Sequence, residues 1–278
     1  MTLRFNAVDA MTGAGSRSTV RPAAVAGLFY PGDAQALSAT VDDLLSRPHA
    51  GRGLPKALIV PHAGYVYSGA VAGQAYGSLG NAARSLRRIV LLGPCHHEWV
   101  KGLAIPTVEG FATPLGVMRV DAAAVRTLRD LPAVVFADAP HAREHSLEVQ
   151  LPFLQRLAPV AEIVPIVAGD ATPAEVEAVI GALWGGAETL VVISSDLSHY
   201  HSYGTARALD AATAQSILDG REDLSGDQAC GCVVVNGLTR ATRKRGLRAE
   251  LLDLRNSGDT AGDRMRVVGY GAFGFYDD

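Results

Sequence analysis

Short apolar runs alternate with stretches of helical spacing along nearly the whole sequence, and this alternation limits the fold more than any other feature. Residues 57–60, 88–92, 163–167 and 189–193 have the length and residue types of buried strands. Helical patterns, such as that of residues 173–184, lie between or after them. Alternating strands and helices predict βαβ units and a sheet covered by helices. We therefore expect an α/β fold with a mostly buried, mixed or parallel sheet flanked by helices.

The domain organisation is expected to be simple. No internal repeat and no long linker divides the sequence, so residues 21–278 are predicted to form a single domain. Residues 1–20 lack apolar periodicity and are predicted to be a flexible leader. The final strand-like stretch, residues 266–275, contains three glycines and is expected to be antiparallel or to lie at a sheet edge.

The composition indicates the cellular compartment of the protein and argues against some classes of binding partner. The net charge is −3 and basic residues are scattered, so a nucleic-acid partner is not indicated. No apolar run reaches the roughly 18 residues of a membrane span, and residues 1–20 lack the apolar core of a signal peptide. Three cysteines, Cys95, Cys230 and Cys232, cannot make a disulfide framework. These features predict a soluble, cytoplasmic protein without a membrane partner.

Histidines are concentrated after the predicted strands. Five of the eight follow three strand ends, namely His62, His96, His97, His199 and His201. Ligands of α/β folds bind beyond the carboxyl ends of strands, where separate strands can bring side chains to one point. One such histidine is more often structural than a ligand, but three clusters in one chain favour a site. Converging neutral imidazoles suit iron, copper, zinc or nickel.

Five sequence segments, in their order along the chain, resemble the Memo family, also known as the B component of AmmeMemoRadiSam systems. They are PHAGYVYSG (61–69), LLGPCHHEW (91–99), EHSLEVQLPFL (144–154), SSDLSHY (194–200) and ACG (229–231). The opening VRPAAVAGLFYPGD (20–33) resembles the family's N-terminal segment. The resemblance covers roughly residues 21–276, which is almost the whole chain.

The resemblance carries expectations about a metal site. The Memo family is similar in fold to class III extradiol dioxygenases of the LigB type, which hold non-haem iron(II) with two histidines and a carboxylate. By that likeness, His62 and His96 are expected to be metal ligands. Cys230 stands where the dioxygenases place their carboxylate. His199 matches their acid/base histidine, with Asp196 expected to orient it.

Further pocket residues follow from the same likeness and from position. His145 and Glu148 resemble pocket or supporting residues of the family, and Tyr65 and His97 flank the expected ligands. A thiolate at Cys230 is a softer donor than a carboxylate, so iron or copper is the expected metal, and zinc stays open. As a ligand thiolate, Cys230 is also expected to have a depressed pKa and to react when metal is removed.

Two other motifs suggest hydrolases. His141, Glu144 and His145 form an H-x-x-E-H pattern, which on a helix would bind zinc and supply a glutamate base. Pro140 places His141 in the first turn of any such helix, so a zinc hydrolase is the weaker alternative. Ser194 and Ser195 precede Asp196, yet no G-x-S-x-G elbow is present. These serines are expected to form strand-end hydrogen bonds and to cap a helix.

Two functions from different classes follow from the sequence. The first is a metal-dependent oxidoreductase related to extradiol dioxygenases. The second is a non-catalytic binding protein that takes a peptide or a small metabolite in the same pocket. The resemblance also implies a pathway shared with AMMECR1-like and radical SAM proteins as partners.

Overall fold

The computed structural model describes residues 19–46 and 53–277, so most of the predicted leader lies outside the described residues. In chain order the strands are β1 (Val20–Arg21), β2 (Ala57–Val60), β3 (Arg88–Pro94), β4 (Leu103–Ile105), β5 (Gly110–Thr113), β6 (Gly116–Arg119), β7 (Val134–Phe136), β8 (Glu162–Ala168), β9 (Thr189–Ser194), β10 (His199–His201), β11 (Arg248–Asn256) and β12 (Val267–Tyr276). The α-helices are α1 (Ala34–Leu45), α2 (Tyr65–Gly77), α3 (Ala122–Thr127), α4 (Ala139–Ala142), α5 (Leu151–Leu157), α6 (Pro173–Ala182), α7 (Tyr203–Leu218) and α8 (Cys232–Arg243). Single 3-10 segments cover Gly80–Ser85, Glu148–Gln150 and Ser257–Asp259.

Nine of the described strands form one mixed sheet. Its order is β10-β12-β2-β9-β3-β8-β4-β7, with β11 paired to β12. The centre, β2-β9-β3-β8, is parallel, whereas β12 runs antiparallel to β2 and β4 runs antiparallel to β8. A small second sheet has the order β1-β5-β6. The prediction of a mixed α/β fold in a single domain is confirmed.

Helices cover both faces of the large sheet because its central strands are apolar on both sides. In β3, Ile89 and Leu91 contribute to one core, while Val90 and Leu92 contribute to the other. Helices α1, α2 and α5 pack on the first face, and α6, α7 and α8 on the second. Each fully buried aliphatic side chain contributes about 1.5–3 kcal/mol to folding. The continuous apolar runs in the sequence reflect this double burial.

The structure differs from the sequence prediction in three elements. The glycine-rich last strand is antiparallel, as one alternative had it, but β12 is interior to the sheet and not at its edge. The spacing of Leu147, Leu151, Leu154 and Leu157 predicts one amphipathic helix over residues 146–157. The structure instead has a 3-10 turn followed by α5, because Pro152 near the start of α5 offers no backbone N–H to extend the helix backward. Short strands such as β5 and β6 fell below the length at which a sequence pattern is visible.

The register of the central strands determines where the site lies. Val60 pairs with Ser194 and Leu92 pairs with Ile193, so the carboxyl ends of β2, β9 and β3 end at one level. The chain leaves these strands into loops at the same edge of the sheet. The residues that follow the three strands are therefore brought together although they are distant in sequence.

Candidate metal centre

Three histidines meet beyond these strand ends. His62 follows β2, His96 follows β3, and His145 lies in the loop between α4 and α5. One nitrogen of each ring lies within 4.8 Å of one nitrogen of each of the others. The ring centroids are 5.2 Å apart for His62 and His96, and 4.7 Å apart for His96 and His145. The structure thus brings together the two predicted histidine ligands and adds His145 to them.

Hydrogen bonds fix the tautomer of His62. The Ser194 hydroxyl donates its one proton to the Ser146 carbonyl at 2.6 Å and accepts from the Gln150 amide at 2.9 Å. Its contact with His62 Nδ1, at 2.9 Å, must then be one in which the imidazole N–H donates. The proton on Nδ1 leaves a lone pair on Nε2. His62 therefore presents Nε2 as a potential metal ligand, supported from behind by Ser194.

Glu144 orients His96 in the same way. The buried carboxylate accepts from His96 Nδ1 at 2.8 Å and from the His96 backbone N–H at 2.6 Å. It also accepts from the Ser146 backbone N–H and lies 3.5 Å from His145 Nδ1. A carboxylate behind a histidine N–H is the usual support of a metal-bound imidazole. Glu144 thus serves two members of the cluster at once.

The electrostatics of the cluster keep its lone pairs free. Burial, together with the neighbouring His96 and His145, holds the pKa of His62 well below its usual range. Burial likewise lowers the pKa of His145 to about 4. Burial by itself would raise the pKa of Glu144, but its hydrogen bonds from His96 and Ser146 outweigh this and lower it. At neutral pH His62 and His145 are therefore neutral donors beside an ionised carboxylate, the states that metal binding requires.

The donor set fits a transition metal. Metal–nitrogen bonds are about 2.0–2.1 Å, so two ligands of one ion can be up to roughly 4 Å apart. The three nitrogens of His62, His96 and His145 lie within 4.8 Å of one another, which is close to that separation. Three neutral imidazoles favour zinc, copper, iron or nickel over calcium or magnesium. The described residues thus include a cluster that can hold a metal ion.

Cys230 lies beside the cluster. Its Sγ is 3.3 Å from His62 Nε2, and the following Gly231 is the N-cap residue of α8. A side chain at Gly231 would lie 2.8 Å from Ser195 Cβ, so only glycine allows this close approach. Burial and the nearby Asp196 raise the pKa of the Cys230 thiol to about 12. The expectation of a depressed pKa is therefore wrong for the metal-free protein, in which Cys230 is a neutral thiol.

Asp196 and His199 occupy different positions around the site. Asp196 Oδ1 accepts the His62 backbone N–H at 2.7 Å, and Oδ2 lies 4.0 Å from His62 Nε2. Burial raises the pKa of Asp196 to about 7. Burial lowers the pKa of His199, and the backbone of Leu197 contacts this ring. In the described structure the side chain of Asp196 contacts His62, while a role in orienting His199 stays an expectation from the sequence.

The cluster forms part of the lining of an open pocket of about 900 Å³. His62, His96, His145, Asp196, His199 and Cys230 all line it. Three residues expected in the pocket lie elsewhere in the described structure. Tyr65 is buried and donates to the Val149 carbonyl, and His97 is exposed with its ring 6.1 Å from that of His145. Glu148 is fully buried, and its carboxylate contacts Arg21 and Tyr30 in the segment that enters the domain.

Glu148 is the centre of a buried polar cluster behind the loop that carries His145. It pairs with Arg21 and accepts from the Tyr30 hydroxyl at 2.6 Å. Arg21 in turn donates to the backbone carbonyls of His141 and Glu144 at 2.8 and 2.6 Å. The Arg21–Glu148 pair therefore connects the segment around Arg21 to the loop that contains Glu144 and His145.

Comparison with known proteins establishes the family. The sequence model of the family described as Memo-like protein matches residues 21–273. The chain belongs to the Memo-like family. A MEMO1 family protein of Aquifex aeolicus is 35% identical over 270 residues, covering 90% of this chain and 97% of the relative. One of Archaeoglobus fulgidus is 36% identical over 265 residues, again 90% and 97%, and one of Ignicoccus hospitalis is 35% identical over 283 residues, 92% and 98%.

The family resemblance stated from the sequence segments is therefore confirmed. All five segments lie within the matched residues of this Memo-like protein. Each of the first four contributes a side chain to the pocket, and the fifth contributes Cys230. No helix in the described part of the chain has the length and apolar character needed to cross a bilayer.

The H-x-x-E-H stretch of this Memo-like protein does not form a zinc-hydrolase helix. Helix α4 ends at Ala142, so His141 and His145 do not lie one helical turn apart. His141 is buried, and its Nε2 is 3.1 Å from the Ala104 carbonyl. The Glu144 carboxylate accepts two hydrogen bonds from His96. The motif is divided between the interior, where His141 lies, and the histidine cluster, to which His145 belongs.

Replacing His141 with alanine should leave metal binding intact. The imidazole packs against Phe111 and does not belong to the histidine cluster of the described residues. The loss of a buried ring should lower the melting temperature, because a cavity remains. Metal content by mass spectrometry and melting by circular dichroism measure the two effects separately. Loss of metal in His141→Ala would revive the zinc-hydrolase alternative.

Ser194 is not a nucleophile. It is fully buried, and its proton is committed to the Ser146 carbonyl. The expectation of strand-end hydrogen bonding is met at Ser194 and Ser195, but neither caps a helix, since β10 follows them. Sequence reasoning missed that Ser194 and Glu144 orient metal-cluster histidines. The available signal was that they lie in the same family-like segments as Asp196 and His145, but a hydrogen-bond partner across the fold has no local pattern.

Replacing Glu144 with glutamine should weaken metal binding by about 10- to 100-fold, the usual effect of losing a supporting carboxylate. The amide keeps the shape but has one acceptor oxygen in place of two for the His96 and Ser146 donors. Competition with a chelator of known affinity measures the change. Glu98→Gln is the matched control, because Glu98 is exposed and its ion pair is with the exposed Arg143, at 3.4 Å. Equal affinity in Glu144→Gln and Glu98→Gln would contradict the supporting role.

Proposed function

We propose that this Memo-like protein is a metal-dependent oxidoreductase. His62, His96 and His145 hold the metal, and Cys230 is a fourth donor that loses its proton when the metal binds. The observation that carries the proposal is the set of three imidazoles with supported rings at the floor of an open pocket. Four protein donors alone would also suit a structural zinc ion, so the argument for a reactive metal is the open pocket, which leaves room for the ion to accept a further ligand.

Iron or copper is the metal that this donor set suits best for redox chemistry. Imidazole binds both ions, and a thiolate favours the softer copper and also iron. Such an ion supplies electron transfer and Lewis acidity at the pocket floor. Cys230 supports this assignment because Sγ is already 3.3 Å from the His62 Nε2.

The residues of the chain have separate tasks around that ion. His199 lines the pocket, lies outside the three-histidine cluster and is neutral at pH 7 because burial lowers its pKa. It therefore accepts a proton from a substrate hydroxyl and holds it at the ring. Asp196 fixes the His62 backbone through Oδ1 and keeps the loop after β2 in place. Ser194 and Glu144 prevent the rings of His62 and His96 from turning away.

The experiment compares oxygen uptake with metal binding. The protein is reconstituted anaerobically with iron(II) or copper(I), and oxygen uptake is recorded with catechol, 3,4-dihydroxybenzoate or ascorbate as the reductant. His199→Ala should lower uptake by about 10²- to 10⁴-fold and leave metal affinity nearly unchanged. His201→Ala, another pocket histidine outside the cluster, is the control.

The second candidate function is a binding protein for a small metabolite or a peptide. The observation in its favour is the size and openness of the pocket, about 900 Å³, which exceeds what a metal alone needs. If neither metal raises oxygen uptake in the wild-type protein, the oxidoreductase proposal fails and binding is the function to pursue. The AMMECR1-like and radical SAM proteins would then be the first partners to test.

A further inference from the structure

The lining of the pocket includes a stacked side-chain pair, Tyr200 and Arg266. Both line the pocket, and the guanidinium carbon of Arg266 is 5.0 Å from the centre of the Tyr200 ring. Tyr200 also lies beside the proposed proton acceptor, with 5.7 Å between its ring centroid and that of His199. The pair is therefore next to the reacting end of the pocket.

Backbone geometry holds Tyr200 in this position. Among the described residues, it is the one non-glycine residue with a positive φ, 63°. The pairing of β10 with β12 shifts at this point, since His199 opposes Val268 and His201 opposes the adjacent Val267. Such a bulge leaves one residue outside the ladder and turns its side chain. A tyrosine is a costly choice for this backbone conformation, and strain of this kind is retained mainly at functional sites.

Exposure gives the second unusual property of Tyr200. Its side chain is 64% exposed although it is a large aromatic residue. Packing in a core therefore does not explain the strained backbone. What the ring does contact is the Arg266 guanidinium, which it supports from one face.

Arg266 has no acidic partner among the residues that the structure describes. Within residues 19–46 and 53–277, it is the one arginine or lysine that lines this pocket, and no carboxylate lies within ion-pair distance of it. The nearby Asp263 lines the pocket too, but its Oδ1 accepts the backbone N–H groups of Met265 and Arg266 and so closes the turn. Asp227 lines the pocket and is exposed. A stacked guanidinium with a free edge is suited to a planar oxyanion, which it can bind with two parallel hydrogen bonds.

We propose that Arg266, held by Tyr200, is the substrate anchor of this pocket and that the natural substrate carries an oxyanion group, carboxylate or phosphate, on a planar body. The oxyanion pairs with Arg266, and the planar body extends past His199 toward the metal cluster. The inference rests on the proposed function for the reaction that follows, but the anchoring itself does not depend on a bound metal.

The test measures the binding of small probes to the full chain by ligand-observed NMR, once after chelation and once after loading with zinc. Benzoate and benzamide have the same shape and differ in charge, and phenyl phosphate offers the other oxyanion. Benzoate or phenyl phosphate should bind roughly tenfold more tightly than benzamide, because a charge-assisted hydrogen bond is stronger than a neutral one. The tighter of the two oxyanions identifies the substrate group.

Matched variants assign the preference to the proposed residues. Arg266→Gln should abolish the preference for oxyanions, and Arg266→Lys should keep only part of it, since lysine lacks the planar fork. Arg264→Gln is the control, because Arg264 stacks on Tyr203, with its guanidinium carbon 4.5 Å from that ring, and does not line the pocket. Tyr200→Gly should lower oxyanion affinity without lowering the melting temperature, because glycine adopts a positive φ freely. If the role of Tyr200 were only structural, Tyr200→Gly would lower the melting temperature and leave oxyanion affinity unchanged.

Two results would overturn the proposal. One is equal binding of benzamide and both oxyanions to the wild-type protein. The other is an oxyanion preference that survives in Arg266→Gln. Failure of the proposed oxidoreductase function would be seen differently, as an absence of metal binding or oxygen uptake while the probe preference of the chelated protein remained. The two proposals can therefore fail independently.

Discussion

Alanine at position 62 is expected to abolish stoichiometric metal binding. Replacement of a supporting residue alone costs about 10- to 100-fold in metal affinity, so loss of a ligand should cost more than about 100-fold. His62 is the member of the cluster that is most deeply buried, and it also contacts Cys230. Its removal takes one nitrogen donor away and frees the thiol from its nearest neighbour.

The measurement is a chelator competition with zinc, iron(II) and copper(I), carried out anaerobically. His201→Ala is the control, since His201 lines the same pocket but is not part of the cluster within the described residues. Circular dichroism checks that His62→Ala is folded. Unchanged metal affinity in a folded His62→Ala would show that the ion, if bound, is held elsewhere.

The second large effect is on stability, at Glu148. Removing this carboxylate by Glu148→Ala leaves Arg21 buried without its charge partner and leaves the Tyr30 hydroxyl and two backbone N–H groups without an acceptor. Breaking a buried ion pair in this way costs about 3–5 kcal/mol of unfolding free energy. The loop with His145 should also lose its fixed position, because Arg21 donates to the His141 and Glu144 carbonyls.

Urea denaturation of Glu148→Ala measures the loss of unfolding free energy. The matched control is Asp42→Ala, which removes an exposed ion pair to Arg156 with an Nη2–Oδ2 distance of 2.8 Å. Exposed pairs contribute about 0–1 kcal/mol, so this control should be nearly neutral. If both variants lose less than about 1 kcal/mol, the Arg21–Glu148 pair does not fasten the loop to the domain.

The sequence predicted those strands whose residues are buried on both faces of the sheet. Strands β2, β3, β8 and β9 are buried on both faces, so each is a continuous apolar run that stands out from its neighbours. Helix α6 was visible because Pro173 and the capping pair Thr172 and Glu175 mark its start. By contrast, β4 to β7 have three or four residues each, too few for a period to appear.

From residue patterns alone the site could be predicted only at the strand ends, whereas His145 and Cys230 were expected from the family resemblance. His62 and His96 each lie two residues beyond a buried strand, so their convergence followed from the parallel sheet. His145 lies in a loop between helices, and the preceding Glu144 is held through its carbonyl by the distant Arg21, which pairs with Glu148. The raised pKa of Cys230 likewise depends on burial by α8 and on Asp196, which are tertiary contacts. Neither leaves a local pattern in the sequence.

Metal analysis of the protein purified without exposure to oxygen tests the central claim most directly. The structure predicts about one transition-metal ion per chain, removable by a chelator and restored by added metal. Cobalt(II) added to the chelated protein should give visible absorption of nitrogen-ligated cobalt, with a sulfur charge-transfer band that Cys230→Ser removes. A chain that purifies without metal, binds none of zinc, iron, copper or cobalt at micromolar concentration, and keeps its fold would contradict the account.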